Sequence, residues 1–331
     1  MTGSLAVAAA PGRARLLFVH AHPDDETLTT GITMAAYAGL GHDVHLLTCT
    51  LGEEGEVIPP ELAHLGSAGD DTLGTRRREE LRAAMALLGV EHSVLGEDPA
   101  RGTASRYRDS GMADSANAQH PDAFALADVD EAAVMVATHI RTLRPDVVVT
   151  YDQQGGYAHP DHIQTHRVTM SALMALSGEN ERDSEVEAGS GAATASPAKG
   201  AAVPAVYCIL TPQSWATQDR GWLLDRVASI DSNHTVLQQN APYPPSVVDD
   251  EVVTHVVDEP ALAETQSRAL AEHKTQVTVC GGYYVLSNHI ATRLSGREGF
   301  ARFDPVAGRL VPGVPGAPRH TDLLTGFQDP G

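Results

Sequence analysis

Two apolar periods alternate along the first half of the chain. RLLFV (Arg15–Val19) is too densely apolar for a loop and reads as a buried strand. The segment from Glu26 to Gly39 then places Leu28, Ile32, Ala35, Ala36 and Gly39 at the spacing of a helix with one buried stripe. HDVHLLTCT (His42–Thr50) is a second strand. A helix around Arg76–Leu88 follows, with Leu81, Met85 and Leu88 on one face, and then a short strand near His92–Leu95. The next helix, Asp130–Arg144, stacks Ala133, Val136, Ala137, Ile140 and Leu143, and Pro145 opens the strand DVVVTY. HPDHIQTHRVTMSALMAL, beginning at His159, restarts a helix with a proline in its first turn, where a missing N–H is no loss.

Beyond this point the pattern weakens. Residues 177–204 contain almost nothing that can be buried and are expected to be a flexible insertion. AVYCIL (Ala205–Leu210) is then a strand, the region near Trp222–Ile230 a helix, EVVTHVV a strand and Ala261–Lys274 a helix. The stretch from Asp304, rich in Pro and Gly, is expected to be irregular. The alternation predicts an α/β fold: a Rossmann-like, mostly parallel sheet with helices on both faces and a smaller C-terminal α/β portion. The expected organisation is a disordered tail (1–13), a core (14–176), the insertion (177–204), a C-terminal part that completes the domain (205–303) and an irregular tail (304–331). No internal repeat is visible.

Composition narrows the class of partner. With 331 residues the chain can bury a large core. Lys plus Arg number 23 and Asp plus Glu 43, a formal charge of −20. So acidic a surface repels nucleic-acid phosphates and anionic lipid, which leaves a small neutral or cationic molecule, or a metal ion, as the expected ligand. Cys49, Cys208 and Cys280 lie far apart without a CxxC pair, which suits a reducing cytoplasm. The N-terminal apolar patch has no basic residues before it and is too short for a signal peptide. No run reaches the roughly 18 apolar residues of a membrane span, so a soluble chain is expected.

Two polar clusters then stand out, each just past a strand. HAHPDDE (His20–Glu26) follows the first, and YDQQGGYAHPDHIQTH (Tyr151–His166) begins at the end of DVVVTY. Open α/β sheets bind ligands beyond the carboxyl ends of their strands, so both clusters are expected to face one crevice. His22, Asp25 and His162 supply two imidazoles and a carboxylate, the three-ligand open shell of a catalytic metal ion. Asp24 is left to act as base on a water, and His159 and Tyr157 can donate to a developing oxyanion, with Asp161 orienting His159. Taken singly, Asp24, Asp25 and Asp161 would serve as helix caps. His20 is expected to pack back into its strand and His166 to lie behind the ligands or in the core. Caps account for an acid or two; they do not account for both clusters at once.

HPDDE after a first strand and HPDH after a later one resembles the LmbE-like family of zinc-dependent sugar de-N-acetylases. CTLGEEGEVI (49–58) and RYRDSGM (106–112) resemble its branch acting on N-acetylglucosaminyl-inositol. The resemblance runs from about Arg15 to Ser177 and resumes near Val203. It implies zinc, one per chain with iron(II) as the other candidate, on His22, Asp25 and His162. It also implies Asp24 as general base, with His159 and Tyr157 stabilising or protonating the tetrahedral species and Asp161 beside His159. Arg77 and Asp109 would hold sugar and inositol hydroxyls; Glu56, and more weakly Gln276, are further substrate-side candidates. The nearest rival is the sister branch that cleaves S-conjugate amides; Thr29 and GEEGEV, where that branch has a lysine and GERGEI, favour the deacetylase. A nucleotide-binding enzyme lacks its glycine-rich motif here, and two acids at the first turn would repel phosphate. A non-catalytic sugar-binding protein would leave the spare carboxylate without a task.

Overall fold

In the computed structural model, which describes residues 12–113, 116–189, 203–314 and 316–325, β1 (Arg15–His20) buries every residue after its first. Leu16 and Phe18 enter one apolar cluster and Leu17 and Val19 another. Successive strand side chains point to opposite faces, so a strand apolar at every position must be covered on both. Each such side chain contributes about 1.5–3 kcal/mol on burial. This fixes β1 in the centre of the sheet.

The helix expected over Glu26–Gly39 is two helices, α1 (Asp25–Thr29) and α2 (Gly31–Gly39), broken at Thr30, whose ψ of 8° is not helical. The break has a physical cause in a buried carboxylate far along the chain. Glu298 accepts the N–H groups of Ile32 and Thr33 at 2.9 and 2.8 Å, satisfying donors that a new helix start leaves free. β2 (Asp43–Thr48) pairs parallel with β1, α3 (Leu73–Leu88) ends at Gly89 in the left-handed region, and β3 (Glu91–Val94) pairs parallel with β2. α4 (Val129–Leu143) is capped by Asp128, whose side chain accepts from the N–H groups of Asp130 and Glu131. β4 (Val147–Tyr151) returns on the other side of β1. α5 (Gly155–Ala158) and α6 (Pro160–Gly189) follow. The expected insertion therefore starts as helix, α6 running on to Gly189 with no proline in 177–189 to stop it; 190–202 lie outside the described residues.

β5 (Ala205–Ile209) pairs parallel with β4, and β6 (Thr211–Pro212) leads into α7 (Gln213–Leu224). The helix expected near Trp222–Ile230 thus lies earlier in the chain. β7 (Val247–Val248) pairs with β6; β8 (His255–Asp258) and α8 (Ala263–Leu270) come next. β9 (Thr278–Cys280), β10 (Tyr283–Val285) and β11 (Thr292–Arg293) make a small antiparallel sheet. β12 (Arg297–Asp304) pairs antiparallel with β5, β8 and β13 (Arg309–Leu310). The main sheet has the order β13-β12-β5-β4-β1-β2-β3, parallel from β5 to β3. α2, α3 and α8 cover one face and α4 and α6 the other. The tail expected to be irregular from 304 opens with the β12–β13 hairpin. It is anchored further on, where Leu323 and Leu324 are buried and the Tyr37 hydroxyl donates to Asp322 at 2.7 Å. No helix among the described residues is long and apolar enough to cross a membrane.

Candidate active site

The chain leaves β1 toward β2 on one side, while β4 lies on the other. The crevice between their carboxyl ends receives both polar clusters, as the sheet order requires. His20 points away from it: its ring bridges the Tyr151 hydroxyl (3.2 Å) and the Thr30 hydroxyl (3.0 Å), and burial lowers its pKa to about 4. His166 likewise turns inward to the Tyr151 carbonyl at 2.9 Å.

The buried rings of His22, His159 and His162 converge, with centroids 4.7 Å (22–159), 4.9 Å (159–162) and 5.3 Å (22–162) apart. One Asp25 oxygen lies 3.1 Å from His22 Nδ1 and 3.2 Å from His162 Nε2, so it touches a histidine from each turn. On its far nitrogen, His22 meets Asp161 at 3.1 Å and Asp109 at 3.3 Å. Burial alone would depress the His22 pKa; Asp109, Asp161 and Asp25 hold it well above the usual value. Asp25, which burial alone would raise, is brought well below the carboxylate range by His162 and His22.

This donor set fits a divalent metal. His22, His159 and His162 each have one nitrogen within 4.8 Å of the others, and His22 with Asp109 and Asp161 forms a second such group. Neither nitrogen of the buried His162 has a hydrogen-bond partner, the Asp25 approach lacking the geometry for one. Imidazole and carboxylate without thiolate suit zinc or iron(II).

Local backbone chemistry presents these groups. Gly155 and Gly156 adopt φ of 65° and 71°; a Cβ on Gly155 would lie 2.7 Å from the Ile163 nitrogen and 2.9 Å from His162 Cβ. Only glycine lets that turn fold against the histidine. Tyr157 stands half exposed, its ring centroid 4.9 Å from that of His162 and 5.9 Å from that of His159. His159 Nδ1 accepts the Asp161 backbone N–H at 3.1 Å, which leaves its Nε2 to carry the proton. Burial, followed by the charges of His22 and His162, brings the His159 pKa down to about 3.

Asp24 is held differently. Its backbone sits at φ 123°, ψ −35°, outside the regions open to an L-residue and costing about 1–3 kcal/mol. The peptide joining it to Pro23 is gripped at both ends. Arg77 donates to the Pro23 carbonyl at 2.5 Å, and Glu26 accepts the Asp24 N–H at 2.9 Å. Burial pushes the Asp24 carboxyl up to about 6, opposed by Arg77, whose Nη2 lies 3.2 Å from it.

Several expected roles change on inspection. The Asp161 carboxylate does not orient His159; Ser110 draws it away, donating from its N–H at 2.9 Å and its hydroxyl at 2.5 Å, and it faces His22 instead. Asp109 sits against His22, accepting from the N–H groups of Gly111 and Glu54. Arg77 is buried against backbone, donating to Gly52 O at 2.8 Å, with its Nε unpartnered. Glu56 stays exposed on the loop after β2, and Gln276 is half-buried with its Nε2 unpartnered. The sequence reading passed over Glu26, taken only as a helix-start acid, and His273. They form a fully buried pair at 3.2 Å. Burial would raise Glu26, but the His273 hydrogen bond and charge bring it below its ordinary value.

Beside Asp25, Tyr157 and His162 opens a cavity of about 510 Å³ that reaches Trp215, Tyr243 and Arg297 of the C-terminal part. The C-terminal part therefore walls the crevice.

The profile of the GlcNAc-PI de-N-acetylase family (PIG-L) matches residues 17–173. A 1D-myo-inositol 2-acetamido-2-deoxy-alpha-D-glucopyranoside deacetylase 2 from Catenulispora acidiphila is 45% identical over 86% of this chain and 86% of its own length. Proteins named as the corresponding deacetylase from Thermomonospora curvata and Streptomyces scabiei are 43% and 42% identical. They cover 90% and 95% of this chain and 93% and 90% of their own lengths.

Proposed function

The chain belongs to the GlcNAc-PI de-N-acetylase family, and from this we propose that it hydrolyses the N-acetyl group of 1D-myo-inositol 2-acetamido-2-deoxy-alpha-D-glucopyranoside. The products are the free amine and acetate, a step of mycothiol biosynthesis. The observation that carries this reading is the Asp25 oxygen within 3.2 Å of one histidine from each turn; the neighbouring Asp24 carboxylate, which feels the Asp25 charge, is the spare acid. The names of relatives at 41–45% identity support the substrate.

His22, Asp25 and His162 would hold one divalent ion, zinc or iron(II), which when bound supplies a Lewis acid and a water of lowered pKa. Asp24 takes the proton of the attacking water and returns it to the leaving amine. Tyr157, half exposed at the cavity mouth, and His159, through Nε2–H, donate to the oxygen on which charge develops. Asp161 holds His22 by its far nitrogen, the orienting contact that histidine ligands ordinarily have. Arg77 and Asp109 would act on substrate hydroxyls in addition to the contacts they already make, with Glu56, exposed on the loop after β2, as the further substrate-side candidate. Three unpaired cysteines suit a cytoplasmic enzyme.

A second reading is cleavage of a larger acyl group from the same amine, for which the cavity of about 510 Å³ beside Asp25, Tyr157 and His162 also has room. One assay separates them: acetate release from N-acetylglucosaminyl-inositol beside amine release from an S-conjugate amide. Faster turnover of the first is expected, and turnover of neither would sink the assignment.

A further inference from the structure

We infer that His273, through Glu26, is a positioning residue for Asp24, so that a histidine from the C-terminal part belongs to the catalytic machinery. The inference rests on the assignment of Asp24 as the base. Both Glu26 oxygens are committed. Oε2 accepts the Asp24 N–H at 2.9 Å, while Oε1 takes the Thr27 hydroxyl at 2.6 Å and lies 3.2 Å from His273 Nε2. Glu26 and His273 are both completely buried, and His273 sits 247 positions further along the chain than Glu26. A buried carboxylate left free would turn toward any donor in reach; His273 and Thr27 pin one oxygen and leave the other aimed at the peptide of Asp24.

That peptide is the one that needs holding. Asp24 stands at φ 123°, and Arg77 grips the carbonyl of the same peptide group at 2.5 Å. With the Glu26 side released, nothing on the N–H side opposes relaxation of φ, and relaxation swings the Asp24 carboxylate away from the crevice. The segment bearing His273 is fastened at several points. Thr275 donates to Glu80 of α3 through its hydroxyl at 2.8 Å, Gln266 donates to the Thr27 carbonyl at 2.9 Å, and Ile58 N–H reaches the Thr275 carbonyl at 2.9 Å. His273 is therefore a fixed post against which the strained turn is braced.

The test is a double-mutant cycle on the metal-loaded enzyme, combining His273→Leu with Asp24→Asn. Glu26→Gln is the second probe: it keeps the volume but offers one acceptor oxygen where two are used. Each single variant is expected to lower kcat about 10- to 100-fold, as loss of an orienting partner does. KM and metal per chain should match the unmodified protein. In the Asp24→Asn background neither should lower kcat further, because the group being positioned is gone. His273→Gln, whose amide can donate to Glu26, should recover most of the loss. Equal fractional losses in both backgrounds, unchanged kcat in the single variants, or lost metal would each overturn the inference. So would failure of both His273→Leu and Glu26→Gln to fold, which would make the pair a packing element. If Asp24→Asn alone keeps full kcat, the base assignment itself fails, and that outcome is read in the single variant.

Discussion

HPDD at Pro23 and HPDH at Pro160 are near twins in sequence and opposites in geometry. The first proline precedes a helix of five residues that breaks at Thr30, and the aspartate after it is strained. The second opens α6, and its aspartate lies in the first turn of a long helix. In the first turn, side chains grip the backbone: the distant Arg77 from α3, and the local Glu26 backed by the distant His273. In the second, glycines let the chain fold tightly under His162, and Ser110 takes up the aspartate. The two are stitched together by Asp25 reaching His162 and Asp161 reaching His22. The same residue types thus serve two ends. One turn holds a carboxylate in a costly conformation, and the other presents a histidine from the first turn of a long helix.

The division can be broken by substitution. The largest effect is expected for His162→Ala, which should lose bound metal and activity together; full metal occupancy would remove His162 from the ligand set. Next comes Asp24→Asn, which keeps shape but cannot accept a proton. Metal and stability should be retained while kcat falls at least about a hundredfold, in line with general-base contributions. Near-normal kcat would move the base elsewhere.

Asp161→Asn should behave in the opposite sense. It weakens the grip on His22, so metal affinity should drop about 10- to 100-fold while kcat at saturating metal changes little. If kcat falls and metal affinity does not, the two turns do not divide the work. The smallest effect is in the pH profile. Asp24 must be ionised to accept a proton, so kcat should rise with pH through its pKa. Burial places that pKa at about 6, and a nearby cation favours the carboxylate and moves it only downward. The acid limb should therefore have its midpoint no higher than about 6, persist in Asp161→Asn and vanish in Asp24→Asn.

Much of this was legible in the sequence, and the failures have physical reasons. β1, β2, α4 and β4 sit where apolar periodicity puts them, because their burial is decided by neighbours that are also apolar. α7 was displaced because its inward face carries Arg220 as well as Leu223. That arginine donates to the Ala241 carbonyl at 2.6 Å and its guanidinium stands 3.8 Å from the Tyr243 ring centre, so a polar residue occupies a core position. β12, REGFARFD, scatters charges through a strand whose first acid, Glu298, caps α2. The single helix expected over Glu26–Gly39 failed for the same reason, since the carboxylate that splits it lies more than 250 residues away. At the site, residue types and spacing pointed to the crevice. Partner choice depends on contacts between distant segments: Asp161 with Ser110, Asp109 with His22, Glu26 with His273. No periodicity reports such contacts.

The central claim is that both turns close on one ion that serves the deacetylation. The direct measurement is acetate release from N-acetylglucosaminyl-inositol by protein stripped of metal and refilled stepwise with zinc or iron(II). The account predicts no turnover in the stripped protein and a linear rise that saturates at one ion per chain. Full turnover after stripping, or a rise that continues to two ions per chain, would contradict it.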